Sequence, residues 1–139
     1  MTDLKYCFLV IGMLCLSTSS YSQIEFEFCP INKTFASNGY HSWGGVLSVK
    51  NNTGQVLDLA NNSFSMNWKN LTALSWPFAN AAQVGGNWTF MLNVTWPGTL
   101  ASGASASVNV NGSGFQKIFN LPQSGTYTEG SNTFTVTVK

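Results

Sequence analysis

The stretch "NWTFMLNVTWPG", residues 87–98, alternates apolar and polar side chains with a period of two until it meets a Pro-Gly pair. Trp88, Phe90, Leu92 and Val94 fall on one face, and Thr89, Met91, Asn93 and Thr95 on the other. A period of two is the pleat of a β-strand with one face buried, and aromatic and β-branched residues fit that surface. Trp96 keeps the parity of Val94 but stands directly before Pro97-Gly98, where strand pairing must stop. Its side chain is either the last core residue of the strand or the first displayed one.

The same alternation recurs along the chain. Ile24, Phe26 and Phe28 alternate with Glu25 and Glu27; Leu47 and Val49 with Ser48 and Lys50; Phe64, Met66 and Trp68 with Ser65 and Asn67. Ala106, Val108 and Val110 alternate with Ser105, Ser107 and Asn109, and Phe134, Val136 and Val138 with Thr133, Thr135 and Thr137. "NNTG", "VGGN", "WPG", "SGAS", "NGSG" and "QSG" supply turn chemistry between these runs. No segment carries a sustained apolar period of 3.6. These features predict an all-β domain, an antiparallel two-sheet β-sandwich of immunoglobulin-like or jelly-roll type, over residues 23–139.

Residues 1–22 have a different character. Lys5 precedes an apolar run from Cys7 to Leu16, and small residues at Ser20 and Ser22 follow. This is the layout of a secretory signal peptide, and the run is too short to span a membrane. The mature chain is expected to be secreted, extracellular, monomeric and free of membrane association after cleavage. Cleavage leaves Cys29 as its one cysteine. It therefore has no internal disulfide, and Cys29 is expected to be a small buried thiol, with an intermolecular bridge as the alternative.

Charge is sparse. Only 8% of residues are charged, none is Arg, and the net charge is +1. Without clustered Lys and Arg, nucleic acid is not expected as a partner. A low-charge surface rich in Asn, Ser, Thr and Gly suits neutral, hydroxyl-bearing partners instead.

Catalysis is poorly supplied, and the chain is not expected to be an enzyme or to need a metal or other cofactor. The mature chain carries four acidic side chains, Glu25, Glu27, Asp58 and Glu129, and Glu25 and Glu27 share one solvated strand face. Glycoside hydrolysis generally needs two carboxylates across the scissile bond. His41 is the single histidine, and no G-x-S-x-G is present. Asn32, Asn51, Asn61, Asn70, Asn87, Asn93 and Asn111 each begin an N-x-S/T sequon and are candidate glycan sites in a eukaryotic secretory pathway. An Asn- and Thr-rich chain also produces such triplets by chance.

The five tryptophans carry most of the information. Trp68 and Trp88 continue apolar stripes and belong to the core. Trp76 precedes Pro77 after a polar stretch, and Trp96 precedes Pro97-Gly98, so both suit display at a loop or sheet edge. Trp43 shares the parity of Leu47 and Val49 but precedes Gly44-Gly45, which leaves it inward or outward. A flat indole matches the apolar C–H face of a pyranose ring, while Asn and Gln amides take the hydroxyls.

"NVTWPGTLASGASASVNVNGSGF", residues 93–115, resembles the C-terminal half of carbohydrate-binding module family two, the bacterial-type cellulose-binding modules. Asn93, Trp96, Pro97, Gly98, Leu100-Ala101-Ser102-Gly103 and Asn111-Gly112-Ser113 fill the places of that family's pattern. "VLSVKNNTG" and "LSWPFA" are similar to its strand ending in Asn-Thr-Gly and to the surroundings of its second surface tryptophan. The resemblance implies a sandwich with one flat face on which Trp76, Trp96 and either Tyr40 or Trp43 stack on an insoluble β-1,4-linked polysaccharide, cellulose or chitin. Asn93 and Gln83 would be their polar neighbours. The family's disulfide has no counterpart here, and its buried tryptophan after Asn-Thr-Gly is replaced by Phe64 at the nearest position. The sequence thus points to a secreted, non-catalytic polysaccharide-binding module. The rivals are a structural or interaction protein of a cell wall or matrix, and an expansin-like loosening activity, which the single domain and the absence of an acidic site oppose.

Overall fold

The computed structural model describes residues 23–35, 41–69, 71–93, 98–114 and 122–139. Every regular element among them is a strand: β1 (Ile24–Phe35), β2 (His41–Asn51), β3 (Leu57–Asp58), β4 (Ser63–Asn67), β5 (Ala73–Leu74), β6 (Phe78–Val84), β7 (Asn87–Leu92), β8 (Thr99–Leu100), β9 (Ser105–Gly114), β10 (Gly125–Glu129) and β11 (Asn132–Val138). The chain is all-β, as its alternation predicts.

The strands form one nine-stranded sheet in the order β5-β9-β2-β1-β11-β10-β4-β7-β6, with β3 and β8 as a separate pair. The expectation was two antiparallel sheets. The difference lies in β1, which pairs antiparallel with β2 along its length and parallel with β11 at its start, Ile24 beside Val136 and Phe26 beside Val138. That short parallel contact joins two groups of strands into one sheet. The sheet curls over its own inner face. β1 and β4 are three places apart in the order, which in a flat sheet would be ~14 Å. The rings of Phe26 and Phe64 nevertheless meet at 5.1 Å. The two edge strands, β5 and β6, are consecutive in the chain and are linked by Ser75-Trp76-Pro77.

Alternation accounts for what fills the interior. Ile24, Phe26 and Phe28 point inward from β1, Leu47 and Val49 from β2, Phe64 and Met66 from β4, Trp88, Phe90 and Leu92 from β7, and Phe134 and Val136 from β11. Phe64 stacks on Phe90 at 5.6 Å and 14° and touches Tyr127 at 4.7 Å. Burying one such ring is worth ~2–3 kcal/mol. Cys29 is exposed, contrary to the expected buried thiol, because it has the outward parity of Glu25 and Glu27. "NGSG" is not a turn: Asn111–Gly114 is the end of β9, with Gly112 paired to Trp43 and Leu74 and Ser113 to Ser42 and Ala73. Gly112 is there for close approach, since a Cβ on it would collide with the indole of Trp43.

Two polar knots fasten the loops. Asn51 is completely buried. Its Nδ2 donates to the carbonyl oxygens of Gln55 at 2.7 Å and Leu100 at 2.8 Å, and its Oδ1 accepts from the Thr53 N–H at 3.0 Å and hydroxyl at 2.7 Å. Nδ2 is the atom a glycan would occupy, so the Asn51 sequon is closed in the folded chain, a correction to the candidate set. In the second knot the Tyr127 hydroxyl lies 2.7 Å from Glu129 Oε2 and 2.9 Å from the Asp58 carbonyl, while the Asp58 N–H donates to the same Glu129 oxygen at 3.2 Å. Burial, reinforced by the Glu129 carboxylate, pushes the Tyr127 phenol far above its ordinary value.

Removing the Asn51 amide strands the buried Leu100 carbonyl, at ~1–3 kcal/mol, and breaks the part-buried bonds to Gln55 and Thr53. Asn51→Ala is therefore expected to lower unfolding stability by about 2–4 kcal/mol in urea denaturation, and Asn51→Asp by more, because a carboxylate would face two carbonyl oxygens. Tyr127 stays neutral when folded but ionises near pH ~10 when unfolded. Its raised pKa therefore contributes stability fully present below that pH and lost as pH rises above it, by ~1.4 kcal/mol per pH unit. Denaturation midpoints measured from pH 8 to 11 should fall above pH ~10 in the wild type and fall less steeply in Tyr127→Phe.

Candidate functional site

The turn linking the two sheet edges is held at several points. The Phe78 N–H donates to the Ser75 carbonyl at 3.0 Å, closing a four-residue turn, and the Trp76–Pro77 peptide is cis. Phe78 drives inward and meets Phe90 edge-on at 5.0 Å and Trp68 at 6.1 Å. On the other side, the Ser75 N–H and hydroxyl both lie 3.3 Å from the Asn111 carbonyl oxygen, which accepts from them. The Asn93 N–H donates to the Pro77 carbonyl at 3.1 Å. Ser75, Pro77 and Phe78 are thus all fastened to neighbouring strands. Trp76 lies between them and remains 65% exposed.

An indole left this exposed, in a turn this well anchored, is a preformed apolar platform. Aromatic side chains of this size bury ~150–250 Å² when fully covered. At ~25 cal/mol/Å², covering the open part of the ring by a sugar face is worth ~2–3 kcal/mol before binding costs.

Trp43 does not join this platform. It is 3% exposed and packs at 5.4 Å and 32° from Trp68 and edge-on to Phe28 at 5.3 Å. Its parity with Leu47 and Val49 wins because Gly112 across the ladder leaves room for the ring on the inner side. As a stacking residue Trp43 is corrected to a core residue. Tyr40 and Trp96 lie outside the described residues, as does Asn70; of Asn32 only the backbone is described. Asn93 is half-buried and is brought to the Trp76 turn through its backbone bond to Pro77. Gln83 is exposed near the far end of edge strand β6 and is not gathered with them in any described contact. Asn61, Asn87 and Asn111 are exposed.

Next to Ser75 an open groove of about 390 Å³ runs over β2, β9 and β5, lined by Ser42, Trp43, Ala73, Ser75, Asn111, Gly112 and Ser113. None of these side chains is charged. The lining, Trp43 apart, was missed at the level of sequence because it collects residues from three separated strands. Asn111, Gly112, Ser113 and Ser75 stand out in the sequence as parts of a family-like pattern, a turn signal or a sequon, but nothing there brings them together. The charges of the described sheet face gather elsewhere: Glu25, Glu27, Lys50 and Lys139 line a smaller pocket with Ser48 and Ser105, and Lys139 Nζ pairs with Glu25 Oε2 at 2.7 Å. Ser42 and Lys50 sit near opposite ends of β2, ~26 Å apart along an extended strand. Among the described residues no group of three or more His, Cys, Asp or Glu side chains is placed to hold a metal ion. Asp58 and Glu129 belong to the knot around Tyr127.

No protein-family model and no curated protein matches the sequence. Solved structures do. An exo-β-N-acetylglucosaminidase of glycoside hydrolase family 20 from Vibrio harveyi, in complex with N-acetylglucosamine, superposes with a TM-score of 0.54 at 13% identity over 85% of this chain. An inactive variant of the same enzyme gives 0.53 and 12% over 85%. The present chain spans only 18% of the length of either enzyme chain, so the likeness is to one part of them and shows a shared fold. The chitin-binding domain of Chi18aC from Streptomyces coelicolor superposes with a TM-score of 0.45 at 23% identity, over 80% of this chain and 95% of that domain.

Proposed function

We propose that this chain is a secreted, non-catalytic polysaccharide-binding module, with residues 1–22 as its cleaved signal peptide and the curled sheet as a sandwich-like scaffold of the carbohydrate-binding kind. One observation carries the proposal: Trp76 is 65% exposed on a turn held by hydrogen bonds to β9 and to Asn93 and by the buried ring of Phe78. An apolar ring kept out of water's reach would be in the core. This one is instead kept in solvent on an anchored turn, and the residue before it, Ser75, lines an uncharged groove of hydroxyls and an amide, a setting that suits stacking on a neutral pyranose. Trp96 is the second stacking aromatic of the proposal, three residues beyond Asn93 in the sequence. The polymer is β-1,4-linked, cellulose or chitin, and both fit the resemblance to the cellulose-binding modules.

A second reading, an interaction protein of a cell wall or matrix, is favoured by two features. Cys29 presents an exposed thiol on the outer face of β1, and Val84 is 79% exposed on edge strand β6. Non-reducing electrophoresis distinguishes the two, because a Cys29-linked dimer that ignores polysaccharide supports the second.

Co-sedimentation with microcrystalline cellulose and with chitin tests the first. Wild type is expected in the pellet with one polymer or both. Trp76→Ala should bind at least ~10-fold more weakly, which corresponds to ~1.4 kcal/mol of lost stacking. Trp76→Tyr should retain most of the binding. Equal binding by Trp76→Ala and wild type contradicts the proposal.

A further inference from the structure

The groove over β2, β9 and β5 has a construction that stacking alone does not explain. Its outward residues are set by strand register: Ser42 pairs with Ser113, Ser113 with Ala73, and Gly44 with Asn111. Ser75 follows β5 and is tied to the Asn111 carbonyl through both its N–H and its hydroxyl. Thr72, on the other side of β5, ties itself to the Ser113 carbonyl in the same way, at 2.8 and 3.0 Å. The two-residue strand β5 is therefore clamped at both ends onto β9, and the groove beside it has a fixed shape. Its floor is Gly112 with the indole of Trp43 packed beneath it. Trp76, the exposed platform, is the next residue after Ser75.

We propose that this groove is a subsite for one end or one segment of a single neutral β-1,4-linked oligosaccharide, which runs from a ring stacked on Trp76 into the hydroxyl- and amide-lined cleft. The inference rests on the polysaccharide-binding reading and deepens it, because it assigns the site to an individual sugar chain. Three observations lead there. The volume of about 390 Å³ is near the lower end of the ~300–1,000 Å³ typical of small-molecule sites, enough for about one or two pyranose rings. The lining offers the Ser42 hydroxyl and the Asn111 amide, groups that both donate and accept, the Ser75 oxygen as an acceptor, since its hydrogen goes to the Asn111 carbonyl, and no charge that would select an acidic or basic sugar. Finally, Trp43, one of the two candidates for a third stacking ring on a flat face, is in the core, and the surface lined by Ser75, the residue before Trp76, is a cleft and not an apolar plane.

The test is a titration of the unglycosylated protein with soluble pentamers of β-1,4-linked glucose and of N-acetylglucosamine, followed by amide chemical shifts and calorimetry. Unglycosylated protein is used because Asn111 begins a sequon and lines the groove. A pentamer is expected to shift the amides of Ser42, Ala73, Asn111 and Ser113 together with the indole N–H of Trp76. Asn111→Ala should weaken pentamer binding ~3–10-fold, the loss of one or two net hydrogen bonds. Ala73→Lys, an exposed change on an edge strand that fills the groove, should weaken it at least as much. Both variants should keep wild-type thermal unfolding. If polymer binding depends on Trp76 while the pentamers leave the groove amides unshifted, or while both groove variants bind pentamer as wild type does, the groove inference is overturned and the polysaccharide reading stands. If wild type binds neither polymer nor pentamer, both fail.

Discussion

The contact between Trp43 and Trp68, 5.4 Å apart inside the curled sheet, is the interaction on which the rest of the arrangement depends. Trp68 follows β4 and Trp43 lies in β2, which belong to the two strand groups that β1 and β11 join. Phe28 closes on both tryptophans, edge-on at 5.3 and 6.4 Å. On its other side Trp68 meets Phe78, the residue that ends the turn carrying Trp76. A core of this size stacks hydrophobic transfer energies of ~2–3 kcal/mol per ring, and aromatic pairs add ~0.5–1.5 kcal/mol beyond burial. It is the interior packing, transmitted through Phe78, that holds the turn and leaves Trp76 in solvent.

The same packing explains the outer surface. With Trp43 inward, the alternation of β2 turns Ser42, Val46, Ser48 and Lys50 outward, and the ladder to β9 sets Ser113, Asn109, Ser107 and Ser105 opposite them. Ser48 and Ser107 meet there, hydroxyl to hydroxyl, at 2.6 Å. Among the described side chains this face is mostly polar, with Glu25, Glu27, Lys50 and Lys139 at one end and an uncharged cleft at the Ser42 end. A neutral, hydroxyl-bearing ligand meets least desolvation penalty at the uncharged end, which is the end lined by Ser75, the residue before Trp76.

Much of the scaffold was legible because half-buried strands print a period of two. The stripes at Phe64 and Met66, at Trp88, Phe90 and Leu92, and at Phe134 and Val136 all lie inward in β4, β7 and β11. Strand β6, "FANAAQV", escaped notice because it is an edge strand whose small residues alternate only weakly and end exposed. In β10 only Tyr127 is fully inward, too little for a pattern. The parallel β1–β11 contact brings together the two ends of the described chain, and no local signal encodes it. Gly112 and Gly45 were ambiguous for one reason: glycine marks turns and close approaches alike, and here both allow close approach, Gly112 to the Trp43 indole and Gly45 to Phe28 and the Cys29 carbonyl. The exposure of Trp76 was legible from its proline neighbour. The cleft beside it was not, since it exists only once three distant segments are paired.

In the proposed function one anchored, exposed indole, Trp76, meets the sugar, while Trp43, Trp68 and Trp88 serve the core. Oxidation by N-bromosuccinimide, mapped residue by residue by peptide mass spectrometry, measures this directly. In the free protein Trp76 should be oxidised well before Trp43, Trp68 and Trp88, and with cellulose or chitin bound it should be protected. Oxidation of Trp43 as fast as Trp76, or of Trp76 at the same rate with and without bound polysaccharide, would contradict the account.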